Sequence, residues 1–331
     1  MGPKNPRRQE KKHQFSLINP NAAGIDIGSQ FHVVAVPPDR DKTPVRTFRT
    51  FTGQLHELVD WLESADIDTV AMESTGVYWL PLFEILQSRD IEVLLTNARD
   101  SKQVPGRKTD VNDAQWLLQL HQYGLLRGSF PPTLEIAGLR AYMRQRERLL
   151  EYAAAHIQHM QKALMHMNLQ LHHVVSDITG ATGMRIIRSI MSGNSNPKEL
   201  AQHRDVRCKA SEATITEALK GNYRPEHLFA LKQAVAHYDS YQASVDACDK
   251  EIELILQTLR NSNPPDAPLP KARHRTRQPN APSFDVREAV YAIVGVDLTQ
   301  IHGVGPYLAL KLISECGTDM SRWPWAPFIE G

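Results

Sequence analysis

The chain has 331 residues, of which 41% are hydrophobic and 23% charged, and its formal net charge is +1. This length allows two or three domains with buried cores, and the near-zero charge excludes overall charge as a guide to nucleic-acid binding. Three widely spaced cysteines form neither a metal-binding nor a disulfide pattern, and no apolar run approaches the roughly 18 residues that cross a bilayer. We therefore expect a protein of a reducing cytoplasm with no membrane partner.

Basic residues are concentrated in two places. Residues 1–20 form a predicted basic tail, and a second basic cluster from Lys271 to Arg277 lies in a proline-rich linker, residues 261–284. Both segments are poor in apolar residues, which is typical of disordered arms. Such arms can contact nucleic-acid phosphates or simply keep a protein soluble, and composition does not decide between these roles.

Residues 21–138 alternate between predicted strands and helices. The predicted strands are Ala22–Val36, Val45–Phe51, Thr69–Glu73 and Ile91–Thr96, and the predicted helices are Gln54–Ser64, Tyr78–Ser88 and Asp110–Tyr123. An opening hairpin followed by alternating strands and helices predicts a mixed sheet with helices on its faces. Tyr78 and Trp79 can stack on a base, although aromatic residues at the start of an amphipathic helix are more often part of the core.

Residues 139–260 show helical periodicity throughout. One seam of apolar residues consists of Leu150, Ala153, Ile157, Met160, Leu164, Met167 and Leu171, and a second of Leu231, Val235, Tyr238, Gln242, Val245, Ile252, Ile255 and Leu259. These steps of three and four predict an antiparallel coiled-coil hairpin, with self-association through the same seams as the alternative. Arg146 extends the first seam backwards, and we expect its charged end to reach the rim.

Five histidines lie on or near the first of these helices: His156, His159, His166, His172 and His173. No neighbouring carboxylate or cysteine completes a metal-ligand set, so the pattern favours an exposed helix surface over a metal site.

Residues 285–331 contain the sequence Ile301-His302-Gly303-Val304-Gly305, followed by apolar helical periodicity. It resembles the hairpin of a helix-hairpin-helix, in which glycines such as Gly303 and Gly305 let backbone N–H groups approach a phosphate. We expect contact with DNA here, and a plain turn between two helices is the alternative.

Four carboxylates carry the most specific chemical signal. Asp26 lies inside the β-branched run Ala22–Val36, Glu73 closes the strand Thr69–Glu73, and Asp110 and Asp113 share one face at a predicted helix start. Carboxylates that converge from separate elements repel one another, and divalent cations with oxygen ligands are the usual remedy. The pattern therefore predicts a two-metal phosphoryl-transfer site.

Two basic residues and one alternative bear on this site. Arg107 and Lys108 precede the aspartate pair and can hold a scissile phosphate, although a solvated turn explains them as well. The sequence Gly24–Gly28 also opens the actin and sugar-kinase ATPase fold. That fold needs two further glycine-rich loops, which the rest of the sequence does not provide.

Together these residues resemble the transposases of the insertion sequence 110 family, in its 1111-type branch. The segments that carry the resemblance are Gly24–Gly28, Glu73–Trp79, Gly106–Trp116, Val175–Gly180, Ile301–Gly305 and Glu315–Ser321. The resemblance implies an α/β RNase H-like (RuvC-like) domain with a DEDD site, in which Asp26, Glu73, Asp110 and Asp113 bind Mg²⁺ or Mn²⁺. It also implies a helical coiled-coil region and a small, partial helical C-terminal domain.

The implied domains are a basic tail (1–20), a RuvC-like domain (21–138), a helical region (139–260), a linker (261–284) and a C-terminal domain (285–331). Family members work as oligomers on the DNA of element ends and targets, guided by an RNA that the element encodes. The resemblance thus implies DNA, a guide RNA and further copies of the chain as partners, close to the bacterial nucleoid.

One feature departs from the family. Members continue beyond the Arg322-Trp323 region into a Ser-Gly motif that supplies a nucleophilic serine, whereas this sequence runs from Pro324 to Gly331. No serine here matches that motif, so we assign no nucleophile. Two functions are therefore expected as alternatives: a transposase that cleaves and joins DNA, or a truncated, catalytically incompetent remnant that binds DNA and RNA.

Overall fold

The computed structural model describes residues 16–74, 76–97, 113–128, 133–260, 267–272 and 280–319. The chain divides into two compact units between residues 131 and 132. We refer to them as the sheet unit and the helical unit and describe each by itself.

The described strands of the sheet unit form one five-stranded mixed sheet in the order β3-β2-β1-β4-β5. The strands are β1 (Ala22–Ile27), β2 (Phe31–Ala35), β3 (Val45–Arg49), β4 (Thr69–Glu73) and β5 (Glu92–Thr96). β1, β2 and β3 are antiparallel neighbours, whereas β1, β4 and β5 run parallel. The predicted mixed sheet is confirmed.

The prediction of a single strand over Ala22–Val36 is wrong, because this run is a hairpin of β1 and β2. The chain reverses just after Gly28, whose N–H donates to the Phe31 carbonyl at 3.1 Å. A side chain at Gly28 would approach that carbonyl oxygen to 2.5 Å, so the turn requires glycine. The sequence does carry a turn signal here, Gly28-Ser29-Gln30, which the single-strand prediction overlooked.

Helices cover both faces of the sheet. They are α1 (Thr52–Ser64), α2 (Leu80–Ser88) and α3 (Asp113–Gln122). Alternate strand residues such as Ile25, Val70 and Met72 pack with α1 and α2 in the larger core. The residues between them face α3, where Ala22 and Ala35 pack against Leu118 in a second, smaller cluster. Successive residues of a strand therefore face opposite helix layers, α1 and α2 on one side and α3 on the other.

The described helical unit consists of helices and their connections. They are α4 (Leu134–His166), α5 (Leu171–Val174), α6 (Ala181–Met191), α7 (Pro197–Ala201), α8 (Glu212–Ala218), α9 (Pro225–Leu259), α10 (Val286–Val294), a 3₁₀ turn (Leu298–Gln300) and α11 (Pro306–Cys316). The predicted helical character of this region is confirmed.

The two long helices α4 and α9 lie side by side in opposite directions. Near one end Arg146 pairs with Asp249, and near the other the rings of His166 and His227 lie 5.0 Å apart. α4 ends at His166, so Leu171, the last member of the predicted seam, belongs to the separate helix α5. Asn168 has a φ of +56°, which interrupts the helical path.

Arg146 does not reach the rim of the seam, and that prediction is wrong. Its side chain is 1% exposed and pairs with Asp249, which is 2% exposed, with Nε and Oδ1 2.5 Å apart. Arg146 Nη2 donates to the Asn280 carbonyl at 2.8 Å, and Asp249 Oδ2 accepts the N–H of Ser283 at 3.0 Å. A fully buried ion pair thus joins both long helices to the segment before α10.

The end of the helical unit is fastened to α4 by a row of polar contacts. Arg140 donates to the carbonyls of Ser314 and Glu315, and Glu147 accepts hydrogen bonds from Tyr307 at 3.1 Å and Lys311 at 2.7 Å. α11 therefore lies along the first part of α4. Among the helices that the structure describes, none has the length and apolar character needed to span a membrane.

Candidate carboxylate site

Asp26 and Glu73 lie on neighbouring parallel strands and on the same face of the sheet. Ile25 of β1 pairs with Met72 of β4, so the two carboxylates are the next residues in register. Side chains at equivalent positions of adjacent strands point to the same side, where the strands are about 4.8 Å apart. Both residues are half-buried.

Helix α3 covers this face in a defined direction. His121, near its end, is hydrogen-bonded to Thr69, at the start of β4, with the two side-chain atoms 2.9 Å apart. Earlier in the helix, the backbone of Ala114 and Leu118 lies against Gly24, which pairs in register with Ala71 further along β4, so the helix runs opposite to β4. From His121 back to Asp113 it rises about 12 Å, and from Thr69 to Glu73 the strand advances about 13 Å. The N-terminus of α3, with Asp113, therefore lies level with Glu73.

Gly24 explains how α3 comes so close to β1. A Cβ atom at this position would overlap the carbonyl oxygen of Ala114 and the backbone N–H of Leu118. Helix backbone thus packs directly on strand backbone, two residues before Asp26 on the same face. The first glycine of Gly24-Ile25-Asp26-Ile27-Gly28 is therefore required for helix packing and the second for the hairpin.

Of the other predicted site residues, the structure describes only Asp113. Asp113 is the first residue of α3 and is exposed. Asp110, Arg107 and Lys108 lie outside the described residues. Within the residues that are described, no group of three His, Cys, Asp or Glu side chains is close enough to hold a metal ion. The backbone thus brings Asp26, Glu73 and the α3 N-terminus to one edge, without a preformed three-ligand set.

The electrostatics of this edge favour bound ions. The N-terminus of a helix carries a partial positive charge, which stabilises a nearby carboxylate or phosphate. Asp26 and Glu73 add two half-buried carboxylates on adjacent strands, and their mutual repulsion is relieved by a cation. Oxygen-only ligands of this kind suit Mg²⁺ or Mn²⁺, so the described part of the donor set fits the metals that the sequence implies.

Sequence reasoning missed two polar residues on this face. Thr96, the last residue of β5, pairs in register with Glu73 and is fully buried. His121 is also buried, and burial lowers its pKa, which the charge of Asp68 opposes. Neither residue belongs to a recognisable motif. For Thr96, the sequence offered one indication, because it ends a predicted strand as Glu73 does.

The predicted hairpin of the helical unit lies between the 3₁₀ turn and α11. Val304 donates its N–H to the Ile301 carbonyl at 3.1 Å, Gly303 has a φ of +83°, and Gly305 precedes α11 directly. In the described chain nothing lies within 4 Å of a Cβ built on Gly303. An exposed turn therefore leads into an uncapped helix N-terminus.

Asp297 holds the start of this hairpin in place. Its carboxylate accepts hydrogen bonds from Arg287 at 2.6 Å, from the Thr299 hydroxyl at 2.6 Å and from Gln300 at 2.8 Å. Burial alone would raise the pKa of Asp297, but these hydrogen bonds outweigh burial and hold the pKa far below its usual range. The turn is thus anchored to α10 by a buried ion pair.

A mixed five-stranded sheet with flanking helices fits an RNase H-like domain. Residues 23–168 match the DEDD family of insertion sequence 110, whose description is Transposase. Residues 23–168 therefore carry the transposase domain of this family, which is consistent with an insertion sequence 110 transposase. No protein with a curated description matches the chain significantly.

Proposed function

We propose that this transposase cleaves and joins DNA strands with Mg²⁺ or Mn²⁺ ions held by Asp26, Glu73, Asp110 and Asp113. The observation that carries the proposal is the alignment of Asp26 and Glu73 on one sheet face, level with the N-terminus of α3. When bound, such ions polarise a phosphate and stabilise the charge that develops on its oxygens.

The chain's own groups would position the DNA. Arg107 and Lys108 precede α3 in the sequence, and we assign them to the flanking phosphates. In the helical unit, we assign the exposed turn at Gly303 and the α11 N-terminus at Gly305 to a second phosphate contact.

The first experiment measures Mn²⁺ binding by titration calorimetry on the full chain. Asp26→Asn keeps the size of the side chain but removes its charge, and we expect the affinity for Mn²⁺ to fall at least tenfold. Asp68→Asn is the matched control, because Asp68 is an exposed aspartate directly before β4, at the opposite end of the sheet. Equal affinity in all three proteins would refute the site.

The second experiment measures strand cleavage and joining on DNA that carries the cognate element ends. The wild-type chain should react with Mg²⁺ present, and Asp26→Asn should not. The alternative function, a DNA- and RNA-binding protein without chemistry, predicts salt-sensitive binding of the same DNA by both proteins. It also predicts no product from either protein.

The remaining partners belong to the same proposal. We propose that an element-encoded RNA guides target choice, that α4 and α9 form a coiled coil, and that copies of the chain associate on DNA. Analytical ultracentrifugation over a range of concentrations tests association. A mass equal to one chain at every concentration, with and without DNA, would contradict it.

A further inference from the structure

Thr96 carries a buried hydroxyl that no described residue satisfies. The residue is fully buried at the end of β5, and among the described residues no hydrogen-bond partner is present for its Oγ1. Buried polar groups are almost always hydrogen-bonded, so an exception calls for a physical explanation. A valine, which has nearly the same shape, would fill this position without that cost.

The location of this hydroxyl is specific. Thr96 pairs in register with Glu73, so both side chains point to the face that α3 covers. Asp26 follows on the next strand, and the three residues form a row across β1, β4 and β5. The main chain of Thr96 is held at this place, because its carbonyl accepts the Ser74 N–H at 3.0 Å and the Ser74 hydroxyl at 3.3 Å.

The other buried polar atoms without a partner in the described chain do not share this location. His32 pairs in register with Ile27, so its side chain points to the opposite face, toward α1 and α2. Arg146 and His172 belong to the helical unit, and Arg146 is already paired through its other nitrogens. Thr96 alone among these four adjoins the carboxylates.

We propose that Thr96 is a positioning residue for Glu73: its hydroxyl donates a hydrogen bond to a carboxylate oxygen of Glu73 when a divalent cation is bound there. This inference rests on the proposed metal site. A carboxylate that gives one oxygen to a cation keeps further lone pairs for a hydrogen bond. Such outer contacts orient a ligand, and losing one typically costs 10- to 100-fold in metal affinity.

The test compares three variants by Mn²⁺ titration calorimetry and by thermal unfolding without metal. Thr96→Val removes the hydroxyl and keeps the shape, so we expect Mn²⁺ affinity to fall about tenfold. The metal-free midpoint should stay unchanged or rise, because an unsatisfied group has been removed. Thr96→Ser restores the donor and should keep the affinity within about threefold of wild type.

Thr69→Val is the matched control. Thr69 lies on the same face of β4, but at the other end of the strand, and its hydroxyl is hydrogen-bonded to His121. This variant should lower the metal-free midpoint, since it leaves a buried imidazole nitrogen without its partner. Its Mn²⁺ affinity should match that of the wild type. Thr96→Val should therefore lower only the affinity, and Thr69→Val should lower only the metal-free midpoint.

The outcomes separate this inference from the proposed function. If wild type and Asp68→Asn bind Mn²⁺ and Asp26→Asn does not, the site stands, and Thr96→Val decides the role of Thr96. Unchanged affinity in Thr96→Val would overturn that role. So would a loss of metal-free stability as large as that of Thr69→Val, because the hydroxyl would then serve the fold. If the wild type binds no Mn²⁺, the metal site fails and the inference fails with it.

Discussion

In the helical unit, the buried charges of Arg146 and Asp249 bind each other and main-chain groups of Asn280 and Ser283. In the sheet unit, the buried hydroxyl of Thr96 meets no hydrogen-bond partner among the described residues, and two half-buried carboxylates lie beside it. Both arrangements place polar groups where apolar ones would be easier to accommodate. They differ in what the fold supplies: Arg146 has a buried countercharge, although its Nη1 is left without a partner, whereas no described residue accepts or donates a hydrogen bond at Thr96 Oγ1.

The difference teaches how structural and functional polar groups can be told apart. A polar group whose partners are all within the fold contributes to a unique structure, and its removal is felt as lost stability. A polar group that lacks a partner in the folded chain calls for an explanation, and where a bound ligand provides the partner, removal of the group is felt as lost affinity. The predictions below test this distinction, from the largest expected effect to the smallest.

The largest effect is expected from breaking the buried pair of the helical unit. Asp249→Ala leaves the guanidinium of Arg146 buried without a countercharge, and we expect a loss of about 3–5 kcal/mol in the free energy of unfolding. Urea denaturation followed by circular dichroism at 222 nm measures this loss. Mn²⁺ affinity of the sheet unit should not change.

The double variant Arg146→Met/Asp249→Leu sharpens the result. Removing both charges avoids the uncompensated guanidinium, so it should recover more than half of the stability that Asp249→Ala loses. Recovery should be incomplete, because the Asn280 carbonyl and the Ser283 N–H lose their partners. If Asp249→Ala were as stable as the wild type, the pair would not hold the helices together.

The next effect concerns the close packing of α3 on β1. Gly24→Ala places a methyl group where the Ala114 carbonyl oxygen and the Leu118 N–H lie. The contact is with helix backbone, which cannot change rotamer as a side chain can. We therefore expect a loss of about 2–3 kcal/mol in the free energy of unfolding. Hydrogen exchange should show faster opening of α3, and Mn²⁺ affinity should fall as the helix N-terminus moves from Asp26.

Gly53→Ala is the control for this substitution. Gly53 lies in the first turn of α1, and in the described chain nothing is within 4 Å of a Cβ built on it. Alanine is favoured over glycine inside a helix by roughly 0.5–1 kcal/mol, so this variant should be as stable as wild type or slightly more so. Similar losses in both variants would show that Gly24 is not special.

A smaller effect is expected at the exposed turn of the helical unit. Gly303 and Gly295 both have positive φ, +83° and +70°, and the described chain leaves open space around a Cβ at either one. Alanine at either position should cost about 1–2 kcal/mol of stability. Only Gly303→Ala should also weaken binding to a fluorescent DNA duplex, several-fold, because its methyl group occupies the path of a phosphate. Equal DNA affinity in both variants would contradict a role for this turn.

The sequence predicted the parts of the fold that depend on local pattern. β4 was predicted at its observed limits, Thr69–Glu73, because a short apolar run ends at a turn, and the end of α1 at Ser64 was predicted equally well. The hairpin within Ala22–Val36 was missed, although Gly28-Ser29-Gln30 is a local turn signal between two short apolar strands.

Features that depend on pairing between distant residues could not be predicted. Arg146 is buried because Asp249, 103 residues later, lies opposite it, and no local pattern shows that. Thr96 became notable only through its register with Glu73. The histidines of α4 were expected to lie on an exposed surface, and the sequence did not indicate that His156 would stack on His237 of α9, with ring centroids 4.9 Å apart.

That histidine stack provides the smallest predicted effect. Burial lowers the pKa of His156, and the neighbouring His237 and His159 lower it further. The groups that face this ring from both long helices are those two histidines and Tyr241, which stacks on it at 5.4 Å. Lys162 lies further along the same groove. Glu226 also lines that groove, but none of the three groups that face the ring is a carboxylate, so they do not offset the charge that protonation of His156 adds.

The sign of the pH effect follows from linkage. Because the pKa of His156 is lower in the folded chain than the ordinary value of about 6.5, the unfolded chain binds a proton first as the pH falls. The contribution of the neutral His156 ring to stability is therefore present above about pH 6.5 and is lost as the pH falls below it. We expect His156→Gln to reduce this decrease between pH 7.5 and 5.5 by less than about 1 kcal/mol, because a partly exposed ring is screened by solvent. Urea denaturation at both pH values measures the change, and the variant at pH 7.5 provides the baseline cost of losing the stack. An identical pH dependence with and without the imidazole would show that this stack does not sense protons.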